Sequence, residues 1–361
     1  MIRREEIGIC CVLIGSSLFQ LLFNSKVLGK RAEHAPLWFL LVLGIVLSRP
    51  GECRAQELSQ IRWGVTSSPA GLPIWMAKDS DLFKKYGLSA EIILTGRGII
   101  NTMSVMSGQM DFGADGPESV IGARLEGGDV LLLACPSDGA PIYLIARPEI
   151  RNIADLKGKR AGVTSFGSTT HLQLRTALRY GGLDPEKDMT ILQLGTEVAS
   201  ALEAGTISAS AMSFGAAIQF LERGWPVLVD LSKTDFVYPA SCVISSRSFL
   251  SKKREVVERM MRAYTEAIQL IKVRPVYAAQ VYAKTFRFDL EKSKRLVNVY
   301  APLFKSIPYV PDKGLESALR EVAMKRSVPK RYIGAPESFR DHTVLDKLVT
   351  QGWFENLKKL R

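Results

Sequence analysis

Histidine is nearly missing from this 361-residue sequence, which holds only His34, His171 and His342. With so few imidazoles, general-base and metal-centred catalysis are poorly supplied. The short catalytic signatures are missing too. There is no Gly-x-Ser-x-Gly elbow, no His-Glu-x-x-His and no Gly-x-x-x-x-Gly-Lys-Ser/Thr phosphate cradle. Cysteine is scarce, and beyond Ala55 only Cys135 and Cys242 occur, so no disulfide framework is expected. Each is expected to be a small buried apolar residue, with a single bridge between them as the alternative in an oxidising compartment. No long low-complexity linker interrupts the chain after Gln60.

What is present is bulk and positive charge. At 47% hydrophobic content the chain can bury two cores of ordinary size. The net charge is +12, but its basic clusters at 252–254, 325–326, 330–331 and 358–359 belong to no nucleic-acid module and read as solvated helix faces. No nucleic-acid partner is expected.

Two apolar stretches, 7–23 and 37–47, open the chain, separated by Lys26, Lys30, Arg31 and His34. The second is short for a bilayer, follows a basic segment and leads to the small-x-small site Cys53-Arg-Ala55. It reads as a secretory signal peptide cleaved after Ala55, which implies a periplasmic protein. Lipid attachment at Cys53 is disfavoured, because no small residue stands just before it. The first stretch reads as an over-extended start, with a membrane anchor as the alternative.

Beyond Gln60 short apolar strand-like runs alternate with helical segments, the grammar of an α/β architecture with mostly parallel strands. Strands are expected at 61–66, 90–95, 130–135 and 142–147, with helices at 72–86, 99–107 and 119–126. The grammar restarts after 148–160, with strands at 160–164, 189–194, 209–213 and 227–231 and helices at 171–180, 197–204 and 216–223. A strand at 240–245 then has no partner in this second unit, so the chain is expected to cross back. Helices at 255–272, 276–286, 290–300, 313–325 and 343–351 would pack over the first unit. The expected domains are therefore 1–55 leader and signal peptide, 56–147 with 239–361 as a discontinuous first lobe, and 148–238 as an inserted second lobe.

Each unit carries the same device, a strand, a small-residue turn and a helix that opens with bare N–H groups. The copies are Asp111-Phe-Gly-Ala-Asp-Gly-Pro117-Glu118 and Arg160-Ala-Gly-Val-Thr-Ser-Phe-Gly-Ser168-Thr169-Thr170. Such helix starts donate hydrogen bonds to an anion or polar ligand without a catalytic side chain. Two of them suggest a clamp on a small molecule.

Four stretches carry a resemblance. They are 64–87 with its Ala-Lys-x-x-x-Leu-Phe-x-x-x-Gly-Leu run, Gly108-Gln-Met-Asp-Phe-Gly113, 153–163 with Gly167-Ser168-Thr169, and Ala201-Leu-Glu-Ala-Gly205-Thr-Ile-Ser-Ala. In order and spacing, over roughly 60–272, the chain resembles the periplasmic solute-binding proteins of ABC importers, in the branch that holds nitrate, sulfonate, taurine and thiamine-pyrimidine precursor binders. One departure is Ser208, where the last segment usually has Asp.

The resemblance implies the two-lobed periplasmic binding protein fold of type II, each lobe a mixed, mostly parallel sheet flanked by helices. It implies a monomer, without cofactor or metal, that captures a small polar or anionic organic solute between its lobes and delivers it to an ABC permease in the membrane. The implied ligand residues are Ser67, Ser68, Asp115, Gly116, Pro117, Ser168, Thr169, Thr170, Ser213, Phe214 and Tyr238. Hydroxyls and N–H groups would take a carboxylate, sulfonate, phosphate or amide, while Phe214 and Tyr238 would flank an apolar or planar body. Capping alone is the alternative account of Ser168 and Thr169. If Asp115 or Glu118 faces the cleft, an amine-bearing ligand gains favour. If Glu118 instead serves its own helix, an anion remains welcome. Arg97 and His171 lie near the implied mouth. Two other roles share the fold. One is a sensory or accessory binding module; the other is a fungal type of pyrimidine-precursor synthase, whose cysteine-rich iron motif this chain lacks.

Overall fold

The computed structural model describes residues 58–139, 141–324 and 326–360. The signal peptide, its cleavage site and both N-terminal apolar stretches lie outside these residues. Among the described residues no helix is long and apolar enough to cross a membrane.

Two five-stranded sheets form the frame. The first has the order β2-β1-β3-β10-β4, with β1 at Ser59–Val65, β2 at Leu88–Leu94, β3 at Phe112–Asp115, β4 at Leu131–Ala134 and β10 at Cys242–Ser245. The second has the order β7-β6-β8-β5-β9, with β5 at Ile142–Ala146, β6 at Arg160–Val163, β7 at Thr190–Gln193, β8 at Ala209–Ser213 and β9 at Val227–Asp230. β1 runs parallel to β2 and β3, and β6 runs parallel to β7 and β8. The antiparallel strand of each sheet is the first one after a crossing. β10 enters the first sheet between β3 and β4, and β5 enters the second between β8 and β9.

The expected return strand is thus present and finds its partners in the first sheet. The expected outward crossing is corrected. Strand 142–147, placed with the first lobe from the sequence, pairs throughout with β8, so the chain changes sheets before Ile142. Its apolar run could not reveal this, because β3, β4 and β5 are all deeply buried and read alike.

The helix expected over 72–86 is divided into Leu72–Asp79 and Leu82–Lys85. Asp81 sits between them in the left-handed region at φ 53°, a conformation that Asp tolerates better than most residues. The break lets the second piece turn inward. Phe83 reaches Trp63, and Lys85 and the Tyr86 hydroxyl both bind the buried Glu266 carboxylate. Gly87, at φ 70°, then closes the turn into β2.

Trp63 is the hub of the first core, with ring centroids of Phe112, Tyr264 and Phe83 at 5.3, 5.9 and 6.1 Å. Tyr264 comes from the long helix Arg254–Val273, which buries Val257, Met260, Met261, Tyr264, Ala267, Ile268 and Ile271. That spacing is one apolar helical stripe, so the C-terminal helices cover the first sheet as the sequence pattern required.

Cys135 and Cys242 form a disulfide, and both are fully buried. The expectation of two separate apolar cysteines is corrected here. The reason lies in strand register: Val243 pairs with Ala134 on antiparallel strands, which sets Cys242 opposite Cys135. A separation of 107 positions hides this adjacency in the sequence.

Candidate functional site

The ends of the parallel strands in both sheets face one another across a cavity of about 380 Å³. From the first sheet come Thr66, Ser67 and Ser68 after β1, Gly96 and Arg97 after β2, and Asp115 and Gly116 at the end of β3. From the second come Thr164 and Ser168 after β6, Thr196 after β7, and Ser213 at the end of β8. A crevice beyond the carboxyl ends of strands is where open α/β sheets hold ligands.

Four helices begin at this cavity. Gly98–Met106, Pro117–Leu125, Thr169–Tyr180 and Phe214–Glu222 have Arg97, Gly116, Ser168 and Ser213 at their N-cap positions, and none receives a side-chain capping bond. Ser168 occupies the cap position without capping. Its hydroxyl donates instead to the Ser165 carbonyl at 2.7 Å and lies 3.0 Å from Thr170 Oγ1. Thr170 Oγ1 in turn sits 2.7 Å from Thr164 Oγ1 and accepts from the Thr164 N–H at 3.1 Å. This hydroxyl web fixes the second-lobe wall. Uncapped helix starts concentrate N–H donors and the positive ends of helix dipoles, which suit an acceptor group on a ligand.

The wall carries little charge. Among the described lining residues Arg97 is the one cation, Asp115 the one acid and Tyr300 the one aromatic ring. Burial, relieved somewhat by bonds from Thr102 and Gly116, pushes Asp115 up to about 6. Burial, with the Asp115 charge beside it, pushes Glu118 up to about 8. Burial also holds the Tyr300 phenol well above its usual range, so it stays a neutral donor.

Polar contacts between the lobes surround the cavity. Thr169 Oγ1 donates to Glu118 Oε1 at 2.7 Å, and Arg97 Nη1 to Ser165 Oγ at 3.4 Å. Glu321 takes Arg175 and Arg179, while Glu222 takes Lys292 and Arg295 at 2.8 and 2.7 Å.

Of the residues proposed from the sequence, Ser67, Ser68, Asp115, Gly116, Ser168, Thr169, Thr170 and Ser213 line the cavity together. Pro117, Phe214 and Tyr238 do not. Pro117 is buried in the first turn of its helix. Phe214 joins the core cluster that holds Leu296 and Tyr300. Tyr238 is stacked on Phe236 at 5.6 Å, inside a cluster with Cys135 and Leu172. Neither ring flanks the cavity, because each is packed into a hydrophobic core. His171 lines a smaller neighbouring cavity of about 80 Å³ with Glu118 and Arg175. His342 accepts from the Val310 N–H, far along the chain, and burial with Arg340 nearby lowers it to about 4.

Sequence reading missed Thr66, Thr164, Thr196, Ser210, Ser241 and Tyr300. Thr66 and Thr164 directly follow β1 and β6, so the strand-end rule could have found them. Nothing local marks Tyr300, which arrives from the C-terminal helix Leu290–Tyr300 by tertiary packing.

A family model described as NMT1/THI5 like matches residues 68–278. A protein of Brucella abortus (strain 2308), named as a binding protein, is 26% identical over 218 residues, which cover 59% of this chain and 67% of that relative. The 4-amino-5-hydroxymethyl-2-methylpyrimidine phosphate synthase THI5 of Saccharomyces cerevisiae is 26% identical over 245 residues, 62% of this chain and 68% of its own. Among solved structures, a protein of Bordetella bronchiseptica RB50 superimposes with a TM-score of 0.70 at 20% identity, over 82% of this chain and 98% of that one. The alkanesulfonate-binding protein SsuA of Xanthomonas axonopodis pv. citri, bound to MOPS, gives 0.63 at 18% identity over 81% and 98%. The desulfurization enzyme DSZB also gives 0.63, at 14% identity over 81% and 99%. These structural likenesses establish the fold, which serves binding proteins and enzymes alike.

Proposed function

Because this chain belongs to the NMT1/THI5-like family, we propose that it is a non-catalytic, periplasmic binding protein that captures a small polar organic solute between its lobes and delivers it, as a monomer, to an ABC permease. The first lobe would comprise 58–141 with 240–360, and the second 142–239. The observation that carries this reading is the convergence of four uncapped helix starts and a hydroxyl-rich wall on one interlobe cavity. Those groups bind and orient; none is paired as nucleophile and base. The ligand residues would be Ser67, Ser68, Gly116, Ser168, Thr170 and Ser213, with Arg97 at one side.

The synthase relative gives the rival reading. A histidine consumed at the cavity would have to line it, and both described histidines lie elsewhere. Secretion through the 37–47 signal segment also favours binding over synthesis.

The test is a thermal-shift screen of the purified protein against carboxylates, sulfonates, amino acids, nitrate and pyrimidines. A solute at a hundred times its Kd adds about 2.7 kcal/mol to native stability. The reading expects a stabilising solute, recovered unchanged after release, whose effect weakens in Ser168→Ala or Thr170→Val. Recovery of a converted product would refute it.

A further inference from the structure

Asp115, which lines the site, and Glu118 beside it form a buried acid pair, 6% and 5% exposed. Every hydrogen bond they receive comes from a neutral donor. Asp115 Oδ2 accepts from Thr102 Oγ1 at 2.6 Å and Oδ1 from the Gly116 N–H at 2.8 Å, while Glu118 Oε1 accepts from Thr169 Oγ1. Glu118 Oε2 is buried with no hydrogen-bond partner among the described residues. No lysine or arginine among the described residues is paired with either carboxylate. Arg97 reaches across to Ser165. On the far side of Glu118, the smaller cavity presents His171, Arg175, Glu321 and Arg326. Arg175 is held there by Glu186 and Glu321, and Arg326 by Glu126.

Burying a carboxylate without a countercharge is costly, so it either keeps its proton or meets a cation. The pair divides these two outcomes. Burial raises both carboxyls, and the charge of one raises the other, so at neutral pH the pair keeps one proton and one negative charge. Of the two, Asp115 is the one that lines the large cavity.

We infer that the solute brings the missing cation: a protonated amine or guanidinium group that docks against Asp115, while its acceptor end meets the helix starts and Arg97. The ligand class is then a small aliphatic zwitterion rather than a simple anion such as nitrate or an alkanesulfonate. The cavity volume limits its size, and the one described ring of the wall, Tyr300, is only 1% exposed, which leaves little face for stacking a planar heterocycle. This inference rests on the reading of the cavity as the solute site.

Matched compounds test it on the unmodified full chain: aminocarboxylates and aminosulfonates of two to six carbons, each beside its counterpart without nitrogen, with affinities measured by calorimetry. The expected result is a preference of tenfold or more for the amino compound, as a charged hydrogen bond contributes. In Asp115→Asn this preference should vanish while the acceptor end still binds. Thr102→Val, which frees the carboxylate to rotate, should reduce the preference with a smaller change of the native fold. Equal binding of both members of a pair overturns the inference and leaves the cleft reading intact. So does binding of nitrate or alkanesulfonates without any amino compound. An amine preference that survives Asp115→Asn overturns the role of Asp115. Stabilisation by no compound of either series, or of the wider screen, defeats the cleft reading and this inference with it.

Discussion

Replacing Cys135 and Cys242 together by alanine should lower stability by an amount set by the loop they close. That loop spans 107 residues. On the chain-entropy model the bridge withholds roughly 2.1 + 1.5R ln n, about 16 cal/mol/K, from the unfolded chain, or about 4.8 kcal/mol at 25 °C. A folded body of about 300 residues gains about 0.6 kcal/mol/K of entropy on unfolding, so the melting temperature should fall by about 7 to 8 °C. The assay is differential scanning calorimetry of the native protein, of the double variant and of the native protein reduced after unfolding. The reduced protein keeps both sulfurs, so it isolates the cross-link from the packing lost with alanine. Each single variant should already show most of the loss, since one cysteine cannot form the bridge. A double variant melting within about 2 °C of the native protein would show that the bridge does not constrain the unfolded chain. The loop-closure argument would then be wrong.

Titration of the acid pair gives a second prediction. Both groups bind protons more tightly in the folded state than in the unfolded one, Asp115 at about 6 and Glu118 at about 8. Their contribution to stability is therefore complete below about pH 4 and is lost as pH rises through 6 and then 8. Without ligand, Glu118→Gln should remove the upper part of that decline, visible as melting temperatures measured from pH 4 to 9. A variant that declines as steeply as the native protein would refute the assignment. Gly116→Ala should hinder the approach of the lobes, because its Cβ would fall 2.4 Å from Thr169 Oγ1 and 2.6 Å from Glu118 Oε2. Solute affinity should drop at least tenfold while the far-ultraviolet dichroism spectrum stays native. Trp63→Ala should cost about 3–5 kcal/mol in denaturant unfolding, since it empties the centre of the Phe83, Phe112 and Tyr264 cluster. A loss below 1 kcal/mol would mean that the cluster collapses to fill the space.

Much of the fold was legible because strand and helix periods are local properties. The stripe at 257, 260, 261, 264, 268 and 271 and the alternation of short apolar runs with helices needed no partner to be read. So did the turns at 115–117 and 167–170, whose small residues can only start helices there. The crossing before Ile142 was not legible, since a doubly buried strand looks the same in either sheet. Phe214 and Tyr238 show the same limit at the site. Spacing placed them near the cavity, but the direction of a ring depends on which core it can enter.

The sequence alone determined the architecture class, the strand-end turns and the poverty of catalytic side chains, because these follow from residue type and period. Tertiary structure alone decided which distant residues became neighbours. Cys135 meets Cys242 through strand register, Thr169 meets Glu118 across the lobes, and Tyr300 joins the wall from the far end of the chain. It also decided the charge of the site. Composition gives a basic protein, yet burial leaves one uncompensated carboxylate in its cavity. Protonation depends on solvent and neighbours, which no local pattern encodes.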